Sequence, residues 1–282
     1  MTEPNSAEQP AEAVDATQSS TSRHLPIDEH FEEVSQNGKR IRRKGVYLLP
    51  NIITTAALFS GFYAILAGVN GHFEHAAYAI IAALFLDGFD GRVARLTNTT
   101  SAFGVQYDSL SDMVSFGVAP AVVMFAWGLE PLGKLGWAAA FIYAACAALR
   151  LARFNTQVDV VDKRYFVGLP SPAAAVLMAS TIWFSGDQPN TQLFSFLVAI
   201  MTILAGLLMV SNIRYSSFKG LGLKGRVPFI VILAFVLVCS VISINPSLGC
   251  LGIALVYAAS GLVLWFKNRT DRSPPEQNTK TP

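Results

Sequence analysis

Four aspartates, Asp87, Asp90, Asp108 and Asp112, lie inside two strongly apolar segments, in the stretch LDGFDGRVARLTNTTSAFGVQYDSLSDMVSFG. A charged side chain at membrane depth costs roughly 2.5–3.5 kcal/mol on insertion scales, so carboxylates there are paired, hydrated or functional. Asp87 and Asp90 are spaced i, i+3 and Asp108 and Asp112 i, i+4, so each pair projects from one face of its helix. Four such carboxylates on two facing helices would repel one another unless a cation sat between them. Hard oxygen donors suit Mg²⁺, Mn²⁺ or Ca²⁺ rather than zinc, which prefers nitrogen and sulfur. The pattern predicts a membrane protein built around a divalent-metal carboxylate site.

The elements that must position these residues are apolar helices. The chain is 52% hydrophobic and only 14% charged, and its mean hydropathy of +0.42 is too high for an ordinary soluble domain. Runs of membrane-spanning length fall near residues 48–69, 75–95, 103–127, 135–154, 171–186, 192–212, 227–245 and 247–267. A span needs about 20 residues, and the fifth run is short. The expected fold is all-α: a polytopic membrane helix bundle of about eight transmembrane helices. Lys39, Arg40, Arg42, Arg43 and Lys44 precede the first run, and Arg92 and Arg95 end the second. Further Lys and Arg residues follow the fourth, sixth and eighth runs, while Lys134 stands alone on the other side. By the positive-inside rule both termini are cytoplasmic, and the aspartates sit toward the cytoplasmic ends of the second and third helices.

Residues 1–38 are rich in Glu, Ser, Thr, Gln and Pro and lack the apolar core of a secretory signal, so a disordered cytoplasmic tail is expected there. The stretch 268–282 reads likewise, leaving one membrane domain at 39–267. Cys146, Cys239 and Cys250 have no metal-ligand spacing and read as buried reduced thiols, with a Cys239–Cys250 disulfide as the alternative. His24, His30, His72 and His75 suggest neither zinc nor a catalytic triad. Trp127, Trp137, Trp183 and Trp265 fall near span ends, as in an aromatic belt. Gly88, Gly91, Gly104 and Gly117 interrupt the charge-bearing helices, where Gly costs about 1 kcal/mol against Ala. Close helix packing explains Gly117. Room for a ligand's phosphates is the better account of Gly91, flanked by Asp90 and Arg92.

The run from Asp87 to Asp112 resembles the signature of the CDP-alcohol phosphotransferases, D-x-x-D-G-x-x-A-R, eight residues, then G-x-x-x-D-x-x-x-D. All eight fixed positions are present: Asp87, Asp90, Gly91, Ala94, Arg95, Gly104, Asp108 and Asp112. PNIITTAALFSGFYAI in the first span, RLARFN at 150–155 and GLPSPAAA at 168–175 resemble the serine-accepting bacterial branch. The resemblance implies transfer of a phosphatidyl group from CDP-diacylglycerol to L-serine, giving phosphatidylserine and CMP. It implies that Asp87, Asp90 and Asp108 bind one or two Mg or Mn ions, with Asp112 near the second ion and acting as general base. Gly91 and Arg95 would contact the nucleotide-phosphate part, with Ser101, Asn51 and Thr54 as further candidates. It also implies a homodimer in the bacterial inner membrane, with the active site facing the cytoplasm and membrane lipids around it. No nucleic-acid partner is expected.

Arg150 and Arg153, at i, i+3, share a helix face and have two readings: they clamp a phosphate or the acceptor's carboxylate, or they meet anionic headgroups. Asn155 and the GLPSP turn either shape the acceptor pocket or, for Pro170 and Pro172, simply start a helix. The signature does not choose among acceptors, so glycerol 3-phosphate or an inositol phosphate stays open beside serine. A cation transporter is the rival of another class. It calls for polar residues across the full membrane depth or for broken helices, whereas the last four runs carry almost no charge. A non-catalytic scaffold leaves the carboxylates unexplained.

Overall fold

The computed structural model describes residues 32–36, 39–43, 48–96, 102–157, 165–186, 191–216, 242–270 and the single positions 233, 236 and 240. Helix α1 (Leu48–Val69) and helix α2 (Phe73–Leu96) form an antiparallel hairpin. Its turn is made by Gly71 at φ 79°, a conformation that L side chains rarely adopt, with the His72 N–H donating to the Ala67 carbonyl at 2.8 Å. Ala64 and Ala67 on α1 and Ala76, Ala77, Ile80 and Ala83 on α2 are buried in one core cluster. Small side chains let the two backbones approach where lipid gives no hydrophobic drive to helix pairing.

Helix α3 (Ala102–Asp112) continues through a π-type turn (Met113–Val118), helix α4 (Ala119–Met124), a second π-type turn (Phe125–Leu129) and a 3-10 turn (Glu130–Leu132). In the first π turn the Ala119 N–H reaches back five residues, to the Val114 carbonyl. Pro120 has no N–H to offer the carbonyl four residues before it, on Phe116. That carbonyl instead accepts the buried Tyr143 hydroxyl at 3.2 Å, which ties this rod to α5 (Lys134–Gln157). Helix α5 also packs on α7 (Gln192–Val210), where Gly206 brings the backbones together: a Cβ there would lie 3.1 Å from Tyr143 Cα. Helix α6 (Ser171–Ser185) lies between α2 and α8 (Pro246–Thr270).

Among the described residues five helices are long and apolar enough to cross a membrane: Asn51–Val69, Phe103–Leu132, Lys134–Thr156, Gln192–Val210 and Pro246–Val263. Helix α2 matches the second expected run and bears Asp87 and Asp90, and α6 matches the short fifth. Of the run 227–245 only positions 233, 236, 240 and 242–245 are described, helical at all but Asn245. The chain is a multi-pass helical membrane protein, and large apolar side chains such as Phe59, Phe62, Leu197 and Leu204 cover its outer face.

Two short antiparallel ribbons depart from the purely helical expectation. Strands β1 (Glu32–Gln36) and β2 (Lys39–Arg43) pair with Glu32 opposite Arg43, so the expected tail through residue 38 ends in a strand. Asn37-Gly38 between them is a two-residue hairpin signal. Strands β3 (Tyr165–Val167) and β4 (Arg214–Ser216) join the α5–α6 connection to the chain after α7. Gly168, at φ 82°, follows β3 because a Cβ would collide with the Met209 carbonyl. Tyr215 of β4 is buried, its hydroxyl donating to the Ala258 carbonyl at 3.2 Å, and burial beside Tyr257 pushes its pKa up to about 12, so it remains a donor.

The tryptophans divide. Trp137 is exposed on the outer surface, as a belt residue would be, and the side chain of Trp265 lies outside the described set. Trp127 is 1% exposed and donates from Nε1 to the Gly186 carbonyl at 3.2 Å, so it is a core residue. Cys146 and Cys250 are free, and Cys239 lies outside the described residues.

Candidate active site and metal centre

The last turns of α2 and the length of α3 bring the four carboxylates together. One carboxylate oxygen from each of Asp87, Asp90 and Asp108 lies within 4.8 Å of the others. Asp112, one turn beyond Asp108, meets the Asp87 carboxyl within hydrogen-bonding reach. Asp108 Oδ1 is buried with no hydrogen-bond partner. Buried polar atoms are almost always paired, so an orphaned carboxylate oxygen facing two more carboxylates is what a cation ligand looks like without its ion. The donor set fits a divalent hard cation.

Helix α1 fixes the two acidic helices in place. Thr54 Oγ1 donates to Asp90 Oδ2 at 2.8 Å, with Asp90 only 4% exposed. Ser111, next to Asp112, donates from Oγ to the Thr54 carbonyl at 3.2 Å, and Ser115 one turn on donates to the Ala57 carbonyl at 3.1 Å. Gly61 gives α3 room, since a Cβ at that position would lie 2.7 Å from Ser115 Cα. The Thr55 hydroxyl donates to the Asn51 carbonyl at 2.6 Å and so accepts from Tyr107 Oη at 2.8 Å. Ser109 Oγ donates to the Val105 carbonyl at 3.1 Å and accepts from Asn155 Nδ2 at 3.0 Å, joining α3 to α5.

The other expected site residues spread around this core. Gly91 is exposed beside Asp90, and a Cβ there would meet nothing within 4 Å, whereas Gly117 packs against Met113 and Ala147. Asn51 lies one turn before Thr55 on α1. Arg95 stands in the final turn of α2, with only its backbone described, and Ser101 lies outside the described residues. Arg150 Nη1 donates to Ser171 Oγ at 2.6 Å, and Asp112, Tyr143 and Tyr257 lie within its electrostatic reach. Arg153 is engaged elsewhere: it donates to the Val210 carbonyl at 3.3 Å and to Asn212 Oδ1 at 2.7 Å, closing the C-terminus of α7. The GLPSP turn starts α6, with Pro170 at the N-cap and no side-chain cap bond.

Sequence reasoning missed Ser109, Ser111, Ser115 and Ser171. The readable signal was Ser111 and Ser115 at i, i+4 on an apolar helix, a spacing that aims both hydroxyls at one neighbour.

A helical membrane bundle with four convergent carboxylates on two of its helices defines a class. The chain belongs to the CDP-alcohol phosphatidyltransferase family, whose model matches residues 47–265. Among its relatives is a CDP-diacylglycerol–serine O-phosphatidyltransferase of Helicobacter pylori, 38% identical over 227 residues, covering 78% of this chain and 92% of the relative. The protein of the same name from Methanocaldococcus jannaschii is 36% identical over 188 residues, covering 67% of this chain and 83% of the relative. An archaetidylserine synthase of Methanothermobacter thermautotrophicus is 32% identical over 176 residues, covering 62% and 72%.

Proposed function

We propose that this protein transfers a phosphatidyl group from CDP-diacylglycerol to L-serine, giving phosphatidylserine and CMP. The observation that carries the reading is the carboxylate cluster with its orphaned Asp108 oxygen, set in a chain whose relatives bear that activity in their names. Asp87, Asp90 and Asp108 would hold Mg or Mn, with Asp112 adjoining. Bound there, a divalent ion neutralises pyrophosphate charge and stabilises attacking and leaving oxygens. Gly91 leaves open space beside Asp90 for the pyrophosphate, and Arg95, in the same helix end, supplies a cation for it. Asn51 is a further candidate for the nucleotide, as is Ser101 by its place in the sequence, whereas Thr54 acts by holding Asp90.

Asp112 is the general base. It takes the proton of the serine hydroxyl as that oxygen forms its bond to the lipid-bearing phosphorus and the bond to the CMP oxygen breaks. Asn155 and Ser109 keep α5 and α3 in register around it. The basic residues grouped at 39–44 and after the second, fourth, sixth and eighth runs support cytoplasmic termini and a cytoplasm-facing site in the bacterial inner membrane. Pairing of two copies is part of this reading.

The test is purified protein with CDP-diacylglycerol and a panel of acceptors, scoring CMP release and lipid product. Serine should give a serine-headed lipid, and glycerol 3-phosphate and inositol phosphate little product. Efficient use of glycerol 3-phosphate without a response to serine would leave the metal site standing and remove the named product.

A further inference from the structure

The hairpin β1–β2 takes no part in the carboxylate site. It carries Lys39, Arg40, Arg42 and Arg43, and with Lys44 five of the six residues at 39–44 are basic, against Glu32 and Glu33 in the partner strand. Topology asks only for basic residues near a span, in any conformation. Strand pairing gives them an order, because residues directly opposite one another in an antiparallel pair share a face. Glu32–Arg43, Val34–Ile41 and Gln36–Lys39 therefore build one face, with an apolar pair at its centre and a basic residue at each end. Glu33–Arg42 and Ser35–Arg40 build the other, which has no apolar residue. A hairpin of two strands is marginal in water and needs something to pack on. Among the described residues this sheet has no third strand, and its strands pack chiefly on each other. Arg43 lies five residues before Leu48, so the chain keeps the hairpin within about 18 Å of the start of α1. Since α1 is in its membrane-spanning length by Asn51, the surface within that reach is the headgroup layer. A bilayer with anionic lipids matches the apolar-centred face, offering phosphates to Lys39 and Arg43 and the acyl boundary to Val34 and Ile41.

We propose that the β1–β2 hairpin docks on the membrane surface by its Val34–Ile41 face, with Lys39 and Arg43 meeting anionic lipid headgroups. The docking stands whichever alcohol the bundle accepts. It holds the start of α1, the helix whose Thr54 supports Asp90, against the layer in which an anionic lipid substrate travels.

The experiment uses the full-length protein in lipid nanodiscs of phosphatidylcholine alone or with about one-third phosphatidylglycerol. Limited trypsin cleavage is scored after Lys44, a site kept in every variant, relative to cleavage after Lys280 in the same sample. The relative rate at Lys44 should fall about 10-fold or more in the anionic discs, the effect of two basic residues at a charged surface. Salt at about 1 M should restore it, because the Debye length shrinks to about 3 Å. Lys39→Gln with Arg43→Gln should abolish the slowing, and Arg40→Gln with Arg42→Gln should keep most of it. Each pair removes two charges, one opposite a glutamate and one opposite a neutral residue, so only the face differs. Ile41→Gln, which keeps every charge, should also reduce the slowing. Equal rates in the two kinds of disc, or equal losses from the two charge pairs, would overturn the docking and leave the hairpin to a protein partner. Neither result would touch serine transfer, which the acceptor panel tests separately.

Discussion

The two halves of this bundle use their buried hydroxyl groups differently. Around α1, α2, α3 and the first π turn four of them donate from helix to helix, Thr54 to Asp90, Ser60 to the Ala79 carbonyl, Ser111 to the Thr54 carbonyl and Ser115 to the Ala57 carbonyl, while Thr55 and Ser109 donate within their own helices. Between α6 and α7 the hydroxyls stay at home. Thr181 and Thr202 each donate to the carbonyl four residues back in their own helix, at 2.7 and 2.8 Å, and touch the neighbour only through Met201 and Met178 sulfurs at 3.7 and 3.8 Å. The difference follows the charge. Four carboxylates push α2 and α3 apart, so that region needs directional ties to the backbone of a third helix. The apolar half has nothing to restrain, and shape complementarity is enough.

The largest effect should come from removing what the ties exist to hold. Asp87→Asn, Asp90→Asn and Asp108→Asn should each take activity down by at least the range of a lost acid–base group, about 10²–10⁴-fold. Chelation should abolish turnover, with Mg or Mn restoring it; full turnover in excess chelator would remove metal from the account. Asp112→Asn should fall in the same 10²–10⁴-fold range while the binding of CDP-diacylglycerol survives, which separates base from ligand. Next comes the tie itself. Thr54→Val keeps the shape and loses the bond to Asp90, so Mn²⁺ affinity measured by direct titration should drop about 10- to 100-fold, with Thr54→Ser retaining it. Unchanged Mn²⁺ affinity in Thr54→Val would mean that α1 does not support the site. Smallest is the counterpart in the apolar half. Thr202→Val should alter stability by about 0.6 kcal/mol or less and leave metal affinity alone, as read by unfolding in detergent.

The carboxylates were legible in the sequence because a charge in an apolar run stands out against its neighbours and helical spacing converts positions into a shared face. The helices were legible for a related reason: a run of about 20 apolar residues has few alternatives to spanning a bilayer. Arg150 and Arg153 were not separable in the same way. Both sit on one face at i, i+3, yet Arg153 binds the end of α7, fifty-seven residues further along at Val210, and Arg150 meets Ser171 at the head of α6. Sequence spacing orders residues within a helix; it does not say which neighbour the tertiary packing delivers. Trp127 shows the same limit, since its place near a span end matches a belt residue, but the Gly186 carbonyl and the packing of α7 draw it inward. Ser111 and Ser115 were hidden by their ordinariness: serine in a membrane helix commonly bonds its own preceding turn, and only the position of α1 shows that these two do not.

The π turn that begins at Met113 directly follows Asp112. Such a turn holds one more residue than an α-helical turn, so it absorbs that residue without rotating one length of the rod against the other. Wound as plain α-helix with every residue kept, Met113–Val118 would turn the acidic end by about 100° relative to the apolar end, the rotation of a single α-helical residue. Asp108 and Asp112 would then leave the face shared with Asp87 and Asp90 although no acidic side chain had been altered. The bearing of the carboxylate face is therefore set just beyond α3, by whether the stretch between Asp112 and Ala119 winds as a π turn or as plain helix.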